Sequence, residues 1–104
     1  MDQAVIAHLR LSDTNFGTED EHTAIFVLEE RLEAAIIKAN AGEFDGNEFG
    51  GGECTLFMYG PDADALYDAI LPILQMNPQA RGGYAIKRYG EARDPNAREV
   101  RVAW

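Results

Sequence analysis

The chain contains a single cysteine, Cys54, among its 104 residues. One cysteine cannot form an internal disulfide, and it cannot build a cysteine metal cluster. No apolar run approaches the roughly 18 residues that a membrane span requires. The segment Met1-Asp2-Gln3 places no basic residues ahead of a long apolar stretch. We therefore expect no signal peptide, no membrane partner and a cytoplasmic location.

Basic residues are also scarce, since 9 Lys and Arg stand against 18 Asp and Glu and give a net charge of −9. Binding to nucleic acid requires clustered Lys and Arg, so we expect no nucleic-acid partner. The acidic excess either keeps the protein soluble or recruits a basic protein partner. The acids dominate from Glu19 to Asp68, whereas most basic residues follow Arg81. This distribution predicts an acidic side and a more neutral C-terminal hairpin.

The length fits one domain over residues 1–104. Alternating and helical apolar patterns predict two helices and five strands. The strands are predicted at 3–11, 43–48, 53–59, 83–90 and 98–104, and the helices at 18–40 and from Pro61 to Asn77. Because the first and third strands are apolar on both faces, we expect them to be central.

Local signals mark the helix ends. Thr18 and Glu21 form a capping-box pattern at the start of the first helix. Gly42 is suited to the left-handed conformation that ends it. Pro61 is acceptable as the first residue of the second helix, because its missing amide would be unbonded there.

The order β-α-β-β-α-β-β predicts an α+β, ferredoxin-like split βαβ sandwich with an antiparallel sheet. Both helices then lie on one face, and the additional C-terminal strand lies at one edge. The opposite face stays open and is the main candidate for partner binding. We expect it to carry Ile6, His8, Arg10, Thr55, Phe57 and Tyr59, with Lys87 and Tyr89 as further candidates. A homodimer or another protein would cover this face, unless a loop or the C-terminal segment does.

The glycine-rich acidic segment at 42–53 predicts a hairpin whose edge carries Glu43, Asp45 and Glu48. These three are candidates for binding a basic partner, the alternatives being a flexible hairpin tip or cation binding. Exposed aromatic rings at Phe44 and Phe49 would favour protein contact. The segment does not match a calcium-binding loop, because two positions that must hold ligands are occupied by Phe49 and Leu56. No Lys follows the glycines, so the segment is not a phosphate loop, and we predict no metal and no cofactor.

No pair of residues predicts nucleophilic catalysis. His8 lies in the middle of a strand, His22 lies in the first turn of a helix, and no fixed spacing links either one to Cys54. A Cys-His pair would need hydrogen-bond reach. We therefore predict a buried core role for Cys54 and no catalytic residue.

The segment Tyr-Gly-Pro-Asp-Ala-Asp-Ala-Leu at residues 59–66 stands between the third strand and the second helix. It resembles the same junction in small uncharacterised bacterial ferredoxin-like proteins, and it is distantly similar to the regulator of ribonuclease activity B family. The shared features cover about a third of the chain. The resemblance implies an acidic inhibitor that binds a ribonuclease and performs no catalysis. It assigns no binding residue in this sequence.

These observations predict a non-catalytic protein-interaction or regulatory module that uses the open sheet face or the acidic hairpin. The alternative is a small enzyme or small-ligand-binding domain with its site at the sheet face of a homodimer. The alternative requires a closed pocket where His8, Arg10 and Tyr59 converge. An interaction module requires a flat apolar patch instead.

Overall fold

A computed structural model describes residues 2–104 as one packed unit of two helices and one sheet. Among these residues, no helix combines the length and the apolar character needed to cross a bilayer. The elements follow the order β1 (Gln3–Arg10), α1 (Glu19–Ala39), β2 (Glu43–Gly50), β3 (Glu53–Gly60), α2 (Ala63–Met76), a 3₁₀ turn (Pro78–Ala80), β4 (Tyr84–Arg88) and β5 (Glu99–Val102).

The five strands form one antiparallel sheet in the order β2-β3-β1-β4-β5. The α+β prediction is therefore confirmed, and the arrangement is compatible with a ferredoxin-like sandwich to which β5 adds an edge strand. β1 lies in the middle, as its two apolar faces predicted, and it pairs with β3 and β4. β4 and β5 are shorter than predicted, because their pairing extends only from Ala85 opposite Val102 to Arg88 opposite Glu99.

One core fills the space between the sheet and the helices. Leu28, Leu32 and Ile36 of α1 are fully buried, as are Leu66 and Ile70 of α2. They form one cluster with side chains of the sheet, namely Val5, Leu9, Leu56 and Met58. Both helices thus cover the same face of the sheet, and the other face has no helix on it.

The predicted capping box of α1 is confirmed. The Glu21 amide donates to Thr18 Oγ1 at 3.2 Å, and the Thr18 amide donates to Glu21 Oε1 at 2.9 Å. The helix ends where predicted, but Gly42 was wrongly chosen as the left-handed residue that ends it, because Asn40 takes this conformation with φ of 50°. Gly42 instead lets the chain pass close to β3, where a Cβ atom would overlap the carbonyl oxygen of Tyr59.

The start of α2 also differs from the prediction. Asp62 is the cap, and its carboxylate accepts hydrogen bonds from the amides of Asp64 and Ala65. Pro61 therefore lies outside the helix. An Asp side chain satisfies the free amides of a first turn directly, which a proline cannot do.

Candidate interaction surface

The face of the sheet opposite the helices carries a continuous apolar row. Ile6 in β1 stands opposite Phe57 in β3 on one side and opposite Ile86 in β4 on the other. All three side chains are half-buried. Antiparallel sheets that face water usually show polar residues at such positions. Three adjacent apolar side chains across three strands are what a contact surface needs at its centre.

Aromatic and polar side chains flank this apolar row. Tyr59 lies on the same face of β3, two residues after Phe57. On the other side of the row, the rings of His8 and Tyr84 stack with centroids 4.7 Å apart. The guanidinium carbon of Arg101 lies 3.8 Å from the centroid of the Tyr84 ring. These contacts fix the positions of large side chains on the open face before any partner binds.

The placement of Ile6, His8, Arg10, Thr55, Phe57 and Tyr59 on the open face agrees with the prediction. Lys87 and Tyr89 were wrongly placed there. Lys87 stands opposite Val5, which faces the core, so its side chain extends toward the helices. Its Nζ donates to Asp64 Oδ1 at 2.9 Å, and the Tyr89 hydroxyl donates to the same oxygen at 2.6 Å.

The contact with Asp64 explains why a lysine is tolerated on the core side of β4. The hydrogen bond to Asp64 raises the pKa of Lys87 above its usual value. Hydrogen bonds from Tyr89 and then from Lys87 lower the pKa of the Asp64 carboxyl. Both groups therefore stay charged and paired at the edge of the core.

Three open-face residues of β4 were missed from the sequence, namely Tyr84, Ile86 and Arg88, as were Glu99 and Arg101 of β5. The three residues of β4 alternate along the strand, and Ala85 between them faces the core opposite Ala7. The alternation was visible, but the polar Lys87 suggested the opposite orientation. A shift of one residue in a strand moves every side chain to the other face.

The open face is divided by charge along β1. From residue 43 to residue 60 the chain has four acids and no Lys or Arg. We call the side of β2 and β3 the acidic half, and it carries Glu43, Asp45, Glu48 and Glu53. We call the side of β4 and β5 the basic half, and it carries Arg88 and Arg101 together with Glu99. Glu91, which follows β4, lines the same corner as Arg88. Arg10, at the end of β1, extends toward Gly82 on this basic side.

The first strand of the acidic hairpin forms one edge of the sheet. β2 pairs with β3 along its length, and the register shifts between Phe44 and Gly46, so Asp45 lies in an irregularity of the edge. Phe44 and Phe49 are half-buried and pack on the core, and the Phe49 ring stacks on His22 with centroids 4.0 Å apart. The alternative in which exposed Phe44 and Phe49 rings make the hairpin a protein-contact loop therefore loses its basis. The acids remain exposed at Glu43, Asp45 and Glu48.

A depression of about 600 Å³ lies at one corner of the open face. Tyr59 and Arg88 contribute to its wall, and its other lining residues are Asp2, Glu43, Asp45, Glu91 and Ala92. His8 and Arg10 are not part of this lining. The convergence of His8, Arg10 and Tyr59 that an enzyme of the predicted kind requires is thus not seen in the described chain.

Cys54 and His8 lie on opposite faces of the sheet. Cys54 is fully buried in the core, as predicted, and burial raises the pKa of its thiol to about 12. The Nδ1 atom of His8 is buried and lies 3.6 Å from Glu53 Oε1, which is longer than a hydrogen bond. This arrangement does not activate a thiolate nucleophile. Within residues 2–104, no three His, Cys, Asp or Glu side chains group as metal ligands.

Comparison of the chain with known proteins finds no matching family model, no matching curated protein and no matching solved structure. The similarity to the regulator of ribonuclease activity B family therefore stays a prediction.

Proposed function

We propose that this protein is a non-catalytic interaction module that binds a partner protein through the open face of its sheet. The observation that carries the proposal is the row formed by Phe57, Ile6 and Ile86, which is continuous across three strands and lies opposite the helices. A partner that covers the row removes apolar surface from water, which is the main driving force in protein association.

The surroundings of the row support binding rather than catalysis. A stable interface combines an apolar centre with a polar rim and with aromatic and arginine side chains. Tyr59 and Tyr84 stand next to the row, and Arg88 and Arg101 lie at its border. The thiol of Cys54 is enclosed on the other side of the sheet, where a substrate on the open face does not reach it. A regulatory role by binding alone fits this arrangement, and it agrees with what the family resemblance implies.

The experiment is site-specific photo-crosslinking in cells that produce the protein. A benzoylphenylalanine at position 57 places the reactive group in the centre of the open face. Benzoylphenylalanine at position 37, on the outer side of α1, is the matched control. The Ile37 side chain that it replaces is 68% exposed and lies away from the sheet. We expect an adduct of defined mass from position 57 and none from position 37.

Two results would overturn the proposal: no adduct from position 57, or the same adducts from both positions. The mass of the adduct also separates the classes of partner. An adduct of twice the chain mass identifies a second copy, and any other mass identifies a different protein, which includes the basic partner and the ribonuclease considered above.

A further inference from the structure

We infer that the open face binds the open face of a second copy of this chain, about a two-fold axis that runs parallel to the strands above β1. The inference rests on the proposed function, because it names the partner of the same surface. It is carried by the division of charge on either side of β1.

Two identical sheet faces that stack on each other are related by a two-fold axis lying in the plane between them. If this axis runs across the strands, β2 of one copy lies over β2 of the other. With the axis above Ile6, Glu43 then faces Glu48 of the partner subunit, and Arg101 faces Arg101 of the partner subunit. Like charges placed opposite each other oppose association, so the charge pattern disfavours this orientation.

If the axis runs along the strands above β1, the two halves exchange places. The acidic half of each copy then lies over the basic half of the other. Glu48 lies over the region of Arg101 of the partner subunit, and Arg101 lies over the region of Glu48 of the partner subunit. Of these two orientations, only this one places the acidic half over the basic half. Glu99 is the acid within the basic half and lies in the same row as Glu43, so Glu43 of the partner subunit lies over it. Arg88, which stands opposite Glu99 in its own chain, is the positive charge next to this contact.

The same two-fold axis also pairs the side chains of the apolar row. Ile6 lies on β1, next to the axis, and it meets Ile6 of the partner subunit. Phe57 is one strand away on one side and Ile86 is one strand away on the other. Phe57 therefore meets Ile86 of the partner subunit, and Ile86 meets Phe57 of the partner subunit. An apolar centre with charged borders results, at the spacing of about 10 Å at which two sheets pack.

The net charge of −9 opposes the approach of two copies at long range. At physiological ionic strength the Debye length is about 8 Å. The molecule extends over 36 × 30 × 20 Å, so charges on its far sides are screened from the interface. The charges that face each other across the two sheets then decide the orientation.

The test uses two variants, one with altered charge on the acidic half and one with altered charge on the basic half, which are studied alone and then mixed. The first variant, Glu43→Lys with Glu48→Lys, changes the charge of the acidic half from −4 to 0, because Asp45 and Glu53 then balance the two lysines. The second variant, Arg88→Glu with Arg101→Glu, carries negative charge on both halves. We expect the wild type to sediment as a dimer at micromolar concentration and physiological salt. Each variant alone should dimerise at least about tenfold more weakly, because the first loses the attraction between the halves and the second places like charges opposite each other.

Mixing the two variants in equal amounts should restore a complex with one copy of each, which isotope labelling of one variant identifies by mass. The matched control is Glu30→Lys with Glu33→Lys, which makes the same charge change on the exposed side of α1 and should leave the dimer intact. Circular dichroism checks the fold of every variant. If Arg88→Glu, which stands opposite Glu99, unfolds the second variant, Arg101→Glu alone takes its place.

A wild type that stays monomeric overturns the inference, as do variants that dimerise like the wild type or a mixture that does not associate. These results are distinguishable from failure of the proposed function. A monomeric wild type together with a crosslink from position 57 to another protein would overturn the dimer inference but not the proposed function. A monomeric wild type with no crosslink from that position would overturn both.

Discussion

The imidazole of His8 lies almost parallel to the ring of Tyr84, with an angle of 13° between the two planes. The two residues stand directly opposite each other on β1 and β4, so the stacking follows from the register of the strands. Because Arg101 covers Tyr84 as well, three side chains from three strands form one fixed group on the open face. The face is therefore largely arranged before a partner arrives, which lowers the entropic cost of binding.

Replacement of Leu32 by alanine should lower the free energy of unfolding by about 2–5 kcal/mol, as truncation of buried leucines does. Leu32 is fully buried between α1 and the sheet. Ile37→Ala is the control, since this side chain is 68% exposed on the same helix and its loss should cost far less. Denaturant unfolding of both variants gives the two values. Equal losses would mean that the wrong face of α1 has been assigned to the core.

Gly42→Ala should destabilise the protein by about 1–3 kcal/mol or more, because a methyl group would overlap the Tyr59 carbonyl and force the backbone apart. The φ of 144° at Gly42 adds to the strain. Gly46→Ala is the matched control on the same strand, where a Cβ atom meets nothing within 4 Å. Thermal unfolding of the two variants should show a lower Tm for Gly42→Ala alone. A normal Tm for that variant would contradict the close approach of residue 42 to β3.

The capping box should make the stability depend on pH. Hydrogen bonds from the Ser12 hydroxyl and the Thr18 amide lower the pKa of Glu21 from 4.5 to about 2. A lowered pKa in the folded state means that the stabilisation is complete above 4.5 and is lost as the pH falls toward 2. The difference in unfolding free energy between the wild type and Glu21→Gln should therefore shrink over this range. A difference between the wild type and Glu21→Gln that stays constant over this range would refute the assignment.

Neutralising the acidic hairpin should leave the fold intact. Glu43→Gln, Asp45→Asn and Glu48→Gln together remove three exposed charges from an edge strand. We expect the unfolding free energy to change by no more than about 0.5 kcal/mol, with a small gain if like-charge repulsion is relieved. The same variant should bind its partner more weakly and with less dependence on salt, because exposed charges are screened by ions.

The control for the hairpin variant is Glu30→Gln, Glu33→Gln and Asp68→Asn, which removes three exposed charges from the helical side. Unfolding by denaturant and partner affinity at low and physiological salt are measured for both proteins. If the hairpin variant and its control bind the partner with equal affinity at both salt concentrations, these acids serve only to keep an edge strand unpaired.

The sequence by itself determined the order of the elements, the capping box and the buried sides of the helices, because these depend on residues close together in the chain. Thr18 and Glu21 are three residues apart, and the stripe that contains Leu32 repeats at helical spacing. The apolar content of β1 on both faces was enough to place it in the middle of the sheet. The core position of Cys54 followed from the apolar character of a lone cysteine that no other residue is spaced to activate.

Tertiary structure alone decided which face of β4 points outward. Alternation shows which residues of a strand share a face, but the register against the neighbouring strand assigns that face to the core or to the surface. Lys87 was misplaced because its partner Asp64 is 23 residues away in the chain. The division into an acidic and a basic half depends in the same way on β2 and β5, the two strands at opposite edges of the sheet. Their charges share one face only because the sheet holds them there.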